Sequence, residues 1–419
     1  MNDVIFKSFL HRVFFDSWKT QQPKGLELIV SDVCDHNCAY CYYKRYGNMF
    51  FDDESRNGRN ILKNLDIILR WLDENNYVPT INVFSGEIFS TETGFEVVNR
   101  LIEYIKPEKK IVLPTNMSFL LDDKKTERVV TLCKKRDNLV LSASIDGKYM
   151  EDNRPLKTGQ KRDDAYYDKL FSFSHEYNIG LHPMIYSTGI EKWKDNFLWF
   201  VKNIEKYNLD ITKALYLLEV RNSEWTAQQC RELMCFIEFL VDWSWDFCGR
   251  NVENMKDFII NKGGFNILNV ASDIPRGIGC SVQMEFGVTL GNLTFPICHR
   301  TAYRNLLGGR FVVENNAIVD IKAENFVTYI NAKSYDANTQ PYCQTCIIKY
   351  LCNKQCLGAQ YETTGDLFTP IPTVCRMEHA KIISILRSFE RIGVLSYIFE
   401  GLSEKKKNCL KILRMEGLV

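Results

Sequence analysis

The sequence lacks an excess of charge of either sign, since 53 Lys and Arg stand against 52 Asp and Glu. No overall positive field therefore favours nucleic acid or an anionic lipid surface. No uncharged apolar run reaches the ~18 residues that a membrane span needs. The first residues do not form a secretory signal, because Lys7, His11 and Arg12 interrupt their apolar stretch and no small-residue cleavage site follows. These absences predict a cytoplasmic protein that binds neither nucleic acid nor a membrane.

Cysteine, by contrast, is abundant: the chain has 15, although disulfides rarely persist in a reducing compartment. Three lie within residues 34–41 and four within residues 343–356, and three more flank the second group. Grouped thiolates of this kind favour metal binding or redox chemistry over disulfide bridges. The others are predicted to be buried small hydrophobic residues, namely Cys133, Cys230, Cys235, Cys248 and Cys409.

The 419 residues predict two or three domains. Residues 1–24 predict an N-terminal segment with a short helix over 4–18. Over residues 25–245, helices alternate with strands predicted at 26–30, 80–84, 111–113, 139–145, 182–186 and 214–220. Six strand–helix units in series predict an α/β fold with a parallel sheet, which right-handed crossovers would curl into a partial (β/α)6 TIM-like barrel. Functional side chains would then lie at the carboxyl ends of the strands.

Beyond residue 245 the alternation stops. Residues 246–279 are rich in Gly and Asn and predict a bridging segment with a short helix near 252–260. Residues 280–379 predict a small cysteine-rich domain, in which Gly291-Asn292 favours a hairpin over 282–298. Residues 380–419 predict C-terminal helices, the first over 380–400, and the run Lys405–Lys407 predicts a solvated face.

The loop after the first predicted strand carries Cys34, Cys38 and Cys41 in a C-x3-C-x2-C pattern. A 4Fe–4S cluster normally takes four thiolates, one for each iron. Three close thiolates leave one iron without a protein ligand, and an open position of this kind is what a catalytic metal needs. The spacing alone also allows a zinc site with a nearby fourth ligand such as His36.

This loop resembles that of the radical S-adenosylmethionine superfamily, in which an aromatic residue, here Tyr40, usually precedes the third cysteine. The resemblance implies that the open iron chelates S-adenosylmethionine. One-electron reduction would then release a 5′-deoxyadenosyl radical, which abstracts hydrogen from a substrate.

Further motifs resemble those of the family and follow predicted strands in the family's order. Ser85-Gly86-Glu87 resembles the motif that holds the methionine amino group, with two of its four positions changed, and Asn116 resembles a Thr-Asn-Gly motif that has lost its glycine. Ser144-Ile-Asp146-Gly147 resembles a Ser-x-Asp-Gly motif, and the resemblance implies that Ser144 and Arg154 contact the methionine carboxylate. Taken singly, the tripeptide is more often a turn than a site, Asp146-Gly147 is equally compatible with a turn, and Arg154 is equally compatible with a surface charge.

The second cysteine group resembles the SPASM domain, a carboxyl-terminal extension of radical enzymes that modify peptides and proteins. The resemblance implies two auxiliary 4Fe–4S clusters, and hence three clusters in the whole chain. One would be held by Cys343, Cys346, Cys352 and Cys375, and the other by Cys280, Cys298 and Cys356 with one ligand short. The missing ligand is open between Cys248, Asp273, solvent and the substrate. A structural zinc module is the alternative.

Two further residues are candidates for the site. His299 follows Cys298 at the position where sulfatase-maturing relatives carry an acid, so it is a candidate base, with an ordinary polar contact as the alternative. Glu219 ends the sixth predicted strand and is a candidate cofactor or substrate contact, with a structural ion pair as the alternative.

The resemblance implies an enzyme that modifies a ribosomally made peptide by cross-linking, oxidation or epimerisation. The alternatives are dehydrogenation of a protein side chain or a small alcohol by the same chemistry, and a non-enzymatic iron–sulfur carrier or zinc-stabilised binding protein. The expected partners are a peptide or protein substrate and a one-electron donor such as flavodoxin or ferredoxin. Because only about 24 residues precede the first predicted strand, a leader-binding domain of ~80 residues is not expected, and either a separate recognition protein or direct docking of the substrate would replace it.

Overall fold

The structure is a computed structural model that describes residues 25–45, 53, 56–77, 79–272, 282, 285–303, 306–353 and 356–419. The helix predicted over residues 4–18 lies outside the described residues, as do Cys280 and Asp273. Within the described part of the chain, helices and strands follow the predicted α/β order, and helices follow the cysteine-rich segment. The predicted fold class is therefore confirmed.

The strands are β1 Gly25–Ile29, β2 Thr80–Phe84, β3 Ile111–Thr115, β4 Leu139–Ala143, β5 Gly180–Leu181, β6 Met184–Ile185, β7 Leu218–Glu219, β8 Glu285–Thr289, β9 Thr294–Pro296, β10 Leu307–Glu314 and β11 Ala317–Ala323. The helices are α1 Tyr42–Arg45, α2 Gly58–Glu74, α3 Glu92–Tyr104, α4 Asp123–Lys135, α5 Asp164–Glu176, α6 Trp193–Lys206, α7 Ile211–Ala214, α8 Ala227–Phe247, α9 Val252–Ile260, α10 Phe326–Ser334, α11 Pro341–Gln344, α12 Leu357–Thr364, α13 Pro372–Arg391, α14 Leu395–Glu400 and α15 Glu404–Met415.

The main sheet has six strands in the order β5-β4-β3-β2-β1-β8, and β1 pairs in parallel with both β2 and β8. The strands predicted at 182–186 and 214–220 shorten to β6 and β7, which form a separate two-stranded parallel sheet. The reason is Pro183, which has no N–H to donate to a sheet and separates β5 from β6. The sixth strand of the main sheet is therefore β8, which the sequence placed in a hairpin and not in this sheet.

The hairpin predicted over residues 282–298 is present only as a turn. Leu293 N–H donates to the carbonyl of Thr289, so the chain does reverse there. Its two strands nevertheless join different sheets, because β8 pairs along its full length with β1 while β9 pairs with β10. The second hairpin, β10–β11, turns at Asn315 and Asn316, whose φ angles of 50° and 61° are the left-handed values that a tight hairpin requires.

Two compact units divide the described residues. The first unit runs up to residue 36 and continues over 41–142 and 281–334, and the second unit comprises residues 37–40, 143–280 and 335–419. In the first unit every residue of β1 is buried, and the predicted face of α2 is buried at Ile61, Leu65, Ile68 and Leu72. In the second unit the predicted face of α8 is buried at Leu233, Phe236, Ile237 and Leu240.

Two predictions about the carboxyl-terminal half are wrong. The predicted 380–400 helix is two helices, because α13 starts at Pro372, a residue favoured in the first turn, and ends before Gly393, whose φ of 75° few other residues adopt. Lys406 lies in the predicted solvated run but is only 3% exposed. Its Nζ donates to the carbonyls of Val270, Ala271 and Ser272, so this buried ammonium has partners.

The scattered cysteines follow their prediction only in part. Cys230, Cys248 and Cys409 are buried, Cys133 is half-buried, and Cys235 is exposed. Cys235 is exposed because it lies outside the buried face of α8, which is formed by Leu233, Phe236 and Ile237.

Candidate cofactor and metal sites

In the first unit, the segment that leads from β1 to Cys34 is fixed by the tripeptide Ser85-Gly86-Glu87. Gly86 N–H donates to the carbonyl of Ser31 and Glu87 N–H to the carbonyl of Val33, both at 2.8 Å. Two motifs about 50 residues apart in sequence are therefore joined by backbone hydrogen bonds. Arg56 adds a two-pronged ion pair to Asp32 at 2.8 and 2.7 Å on the same segment.

Gly86 is required there because the backbone leaves no room for a side chain. A Cβ at this position would lie 2.3 Å from the carbonyl oxygen of Val33 and 2.6 Å from that of Asp32. Both contacts are with backbone atoms, which cannot rotate away as a flexible side chain can. The tripeptide and the loop before Cys34 therefore fit together only with glycine at this position.

Glu87 has a buried carboxylate that is held by three donors. It accepts hydrogen bonds from Thr115 Oγ1 at 2.8 Å, from Asn116 N–H at 2.6 Å and from Phe89 N–H at 3.2 Å. Burial, opposed by the Asn116 N–H and assisted by the charge of Asp35, raises the pKa of Glu87 to about 7. A carboxylate has roughly four acceptor positions, so one remains for a cationic ligand.

Asn116 links this carboxylate to the cysteine loop. Its backbone N–H contacts Glu87, and its side-chain amide donates to Asp35 Oδ1 at 2.7 Å. Asp35 also contacts His36 Nδ1 at 2.7 Å and accepts from the Ser118 hydroxyl. Burial raises the pKa of Asp35, but hydrogen bonds from His36 and Ser118 outweigh burial and hold this pKa well below its usual range. The sequence indicated Asn116 but not Asp35 or Ser118, whose pairing joins distant parts of the chain.

Cys34, Asp35 and His36 also form a group with metal-binding potential. One ligand atom from each lies within 4.8 Å of the others, and His36 N–H donates to Cys34 Sγ at 3.4 Å. His36 is 1% exposed and was the fourth ligand considered for a zinc site. This geometry keeps the zinc alternative open and makes metal analysis decisive.

In the second unit, Tyr40 and Arg154, both half-buried, form a triad with the buried Asp146. The Tyr40 hydroxyl donates to Asp146 Oδ2 at 2.5 Å, and Arg154 Nη1 donates to the same hydroxyl at 3.0 Å. Burial disfavours the charged guanidinium, but the interactions of Arg154 with Tyr40, Cys38 and Asp146 together raise its pKa. The backbone supports this arrangement, since Ala39 N–H donates to the carbonyl of Asn153 at 2.9 Å.

Arg154 retains donor capacity within this triad. Its Nε is buried and has no hydrogen-bond partner. A buried guanidinium N–H without an acceptor is costly, so the site favours an anion that would accept from it. A carboxylate fits this requirement, because its two oxygens match the fork of the guanidinium.

Other predicted residues of the second unit lie around the triad. Ser144 follows β4 and is half-buried. Gly147 has a φ of 100°, and a Cβ there would lie 2.4 Å from Asn196 Oδ1, so the Asp146-Gly147 pair needs its glycine. Tyr186 packs against the Tyr40 ring at 5.4 Å between centroids, and Asn222 Nδ2 donates to the Tyr40 carbonyl at 3.4 Å. The sequence did not predict either of these last two contacts.

Glu219 lies in a buried network of four charged residues. Lys381 Nζ donates to Glu219 at 2.5 Å and to Glu378 at 3.2 Å, and Arg221 contacts Glu378 at 3.1 Å and Glu219 at 3.6 Å. Burial raises the pKa of Glu219, but the charges of Lys381 and Arg221 lower it further than burial raises it. The two carboxylates and two cations balance. The signal available in the sequence was charge at Glu378 and Lys381 on the apolar face of α13, beside Val374 and Met377.

Four of the clustered cysteines line one cavity of about 50 Å³ in the second unit. They are Cys343, Cys346, Cys352 and Cys375, the same four that the resemblance assigns to one auxiliary cluster. Glu378 and His379 line the cavity as well, with Cys352 Sγ 3.9 Å from Glu378 and Cys346 Sγ 3.3 Å from His379 Nε2. Four thiols around a common space are the donor set that a 4Fe–4S cluster takes.

The set predicted for the other auxiliary cluster is described only in part. Cys280 lies outside the described residues, Cys298 belongs to the first unit, and Cys356 is the residue before α12 in the second unit. Cys298 N–H donates to Thr301 Oγ1 at 3.1 Å, which fixes the turn at this cysteine. This ligand set stays a prediction.

His299 is held beside Cys298 by Glu27, a buried acidic residue of β1. Glu27 accepts from His299 N–H at 3.0 Å and contacts His299 Nδ1 at 3.2 Å. The His299 ring stacks on Phe84 at 3.9 Å between centroids. Burial raises the pKa of Glu27, but the electrostatic interaction and the hydrogen bond with His299 outweigh burial. The pKa of Glu27 therefore lies below its usual range. Carboxylate and stacked ring together fix the imidazole orientation, an arrangement that a candidate base needs.

No protein-family model and no curated protein matches the sequence. Solved structures do match. Streptococcus suis SuiB bound to S-adenosylmethionine is 12% identical, with a TM-score of 0.51 over 87% of this chain and 78% of that chain. anSMEcpe with bound AdoMet is 15% identical, with a TM-score of 0.55 over 93% of this chain and 98% of that chain. The chain shares the fold of these two structures.

A third structure, SuiB bound to its precursor peptide SuiA, is 13% identical, with a TM-score of 0.50 over 87% of this chain and 79% of that chain. At these identities the likeness establishes the fold alone, and the chemistry must be argued from the residues of this chain. Among the helices that the structure describes, none combines the length and the apolarity that a membrane crossing requires.

Proposed function

We propose that this protein is a radical S-adenosylmethionine enzyme that modifies a ribosomally made peptide by cross-linking, oxidation or epimerisation. One observation carries the proposal: the backbone bonds from Gly86 and Glu87 to the segment before Cys34, which join the three-cysteine loop to the tripeptide of the second strand. A structural zinc site does not need the tripeptide beside the cysteine loop, whereas a cofactor that both elements bind does need it.

Different residues would bind the cluster and the different groups of S-adenosylmethionine. Cys34, Cys38 and Cys41 would hold a 4Fe–4S cluster, which together with S-adenosylmethionine supplies a 5′-deoxyadenosyl radical when both are bound. Glu87 would accept from the methionine ammonium at its remaining acceptor position, and Asn116 keeps that carboxylate in place. Arg154, with its unpartnered Nε, would bind the methionine carboxylate together with Ser144.

Tyr40 would orient Arg154. Its hydroxyl donates to Asp146 and accepts from Arg154, so the guanidinium is fixed before a ligand arrives. Glu219 already has Lys381 and Arg221 as partners, so its role would be to position the end of β7.

The second half of the chain would hold two further 4Fe–4S clusters. The first belongs in the cavity lined by Cys343, Cys346, Cys352 and Cys375. The second would take Cys280, Cys298 and Cys356. His299, oriented by Glu27, would accept a substrate proton near the latter.

A peptide substrate is supported by the neighbour SuiB, which was solved with its precursor peptide SuiA. The further partners we propose are a flavodoxin or ferredoxin as one-electron donor and a separate leader-binding protein. Sulfatase-maturase-like or alcohol dehydrogenation would use the same site with another substrate.

The test is anaerobic turnover of the iron-loaded protein with S-adenosylmethionine, dithionite and candidate peptides from neighbouring reading frames. We expect 5′-deoxyadenosine to form and one peptide to change. A decrease in peptide mass by two hydrogen atoms indicates cross-linking or oxidation. An unchanged peptide mass in ordinary water, with deuterium uptake in deuterated solvent, indicates epimerisation. The measurements are chromatography of the nucleoside and mass spectrometry of the peptide.

The control is Cys235→Ala, which removes an exposed thiol outside the proposed sites and should leave turnover unchanged. Fully loaded protein that forms no 5′-deoxyadenosine above the level of dithionite without protein would contradict the proposal. Cleavage of S-adenosylmethionine with an unchanged peptide, but oxidation of an alcohol or a serine side chain, would favour the dehydrogenase alternative.

A further inference from the structure

His379 lies on the same face of α13 as one of the cavity cysteines. It follows Cys375 by four residues, and residues at this spacing are neighbours on a helix surface. Both residues line the four-cysteine cavity. The helix therefore presents a thiol and an imidazole to one space, and the cluster proposed there accounts only for the thiol.

The imidazole contacts a specific sulfur. His379 Nε2 lies 3.3 Å from Cys346 Sγ, within hydrogen-bond range for sulfur. A metal-bound thiolate has no proton and can only accept, so a hydrogen bond to a cluster ligand would require the hydrogen on Nε2. His379 would then donate to one of the four cluster ligands.

The charged side chains near the cavity belong to a network of two carboxylates and two cations. Glu378, the neighbour of His379, lies 3.9 Å from Cys352 Sγ. Its negative charge is balanced by Lys381 at 3.2 Å and by Arg221 at 3.1 Å. Because Glu219 engages the same two cations, the network as a whole is neutral.

We infer that His379 hydrogen-bonds to the Cys346 thiolate and raises the reduction potential of the cluster in this cavity. The inference rests on the proposed function, since it assumes that the four thiols hold a 4Fe–4S cluster. Adding an electron makes the cluster and its sulfurs more negative, so a donor stabilises the reduced form more than the oxidised form. His379 is a positioning residue that acts through Cys346.

The test compares His379→Leu, which cannot donate, with His379→Gln, which can. Both are made in protein that also carries Cys34→Ala, Cys38→Ala and Cys41→Ala, so that only auxiliary clusters remain. The clusters are titrated with dithionite and mediators and followed by electron paramagnetic resonance. At a fixed potential we expect His379→Leu to lower the reduced-to-oxidised ratio of one cluster about tenfold, which is about 59 mV for one electron. His379→Gln should retain most of the original ratio.

The matched control is His175→Leu, which removes an exposed histidine from α5 and should leave every potential unchanged. An intact cluster with the same potential in His379→Leu and in the parent overturns the inference while leaving the proposed function in place. Failure of the parent to bind iron in this cavity overturns the proposed cluster instead.

If His379→Leu loses its cluster, pulsed electron paramagnetic resonance of the parent protein tests the inference instead. We expect an exchangeable proton coupled to the cluster and only weak coupling to histidine nitrogen. Strong nitrogen coupling would show that His379 is itself a ligand and would overturn the inference.

Discussion

Replacing Arg154 by alanine is expected to weaken S-adenosylmethionine binding roughly a hundredfold. The variant would lose the charge-assisted, two-pronged contact proposed between Arg154 and the methionine carboxylate, which would contribute about 3 kcal/mol. Each 1.4 kcal/mol is about a factor of ten in affinity. The measurement is calorimetric titration of the iron-loaded protein under anaerobic conditions.

Arg154→Lys separates charge from geometry. Lysine keeps the positive charge but lacks the planar fork, so we expect an intermediate loss of about tenfold. Arg128→Lys is the matched control, because Arg128 makes a comparable two-pronged pair with Glu92 on the surface. If Arg154→Ala, with its full iron content, binds S-adenosylmethionine as tightly as the parent, Arg154 has no role in binding it.

Gly86→Ala is expected to lower the rate of S-adenosylmethionine cleavage strongly. The new Cβ would meet the carbonyl oxygens of Val33 and Asp32 at 2.3 and 2.6 Å, so either the tripeptide or the segment before Cys34 must move. Overpacking of this kind costs about 1–3 kcal/mol. A displacement near 1 Å at a catalytic site lowers the rate about a hundredfold.

The readouts are iron content, S-adenosylmethionine cleavage and the free energy of unfolding. Gly401→Ala is the control, because nothing lies within 4 Å of its Cβ position and its φ is −86°. We expect that control to be neutral in all three. Cleavage at the parent's rate by Gly86→Ala would mean that the close approach of the two motifs is not needed for catalysis.

The sequence predicts those parts of the fold that depend on the spacing of apolar residues within one helix or strand. The apolar spacing of Ile61, Leu65 and Ile68 places one face of α2 in the core whatever the helix packs against. The same holds for the order of the motifs, because the carboxyl ends of parallel strands share one edge of a sheet.

The features that depend on contacts between segments distant in sequence could not be predicted. The position of β8 beside β1 depends on a match between segments about 260 residues apart, for which the alternating pattern at 285–289 gives no partner. Glu27 was visible only as an acidic residue in a buried strand, and its contact with His299 depends on that pairing. Lys406 was assigned to solvent because its three carbonyl partners at residues 270–272 lie in a distant segment.

The candidate sites divide in the same way. The resemblance of the cysteine pattern to the SPASM domain assigned Cys343, Cys346, Cys352 and Cys375 to one set, and these four thiols line one cavity. The residues that support these sites, such as Ser118 beside Asp35 and Lys381 beside Glu219, carry no motif. They belong to buried polar networks that only the folded chain brings together.

The most direct test of the account is the iron and zinc content of anaerobically purified protein, before and after Cys34, Cys38 and Cys41 are all changed to alanine. Three 4Fe–4S clusters predict about twelve irons in the parent and about eight in the variant, with loss of 5′-deoxyadenosine formation. About two zincs and no iron after anaerobic reconstitution would contradict the account and assign Cys34, Asp35 and His36 to a structural metal site.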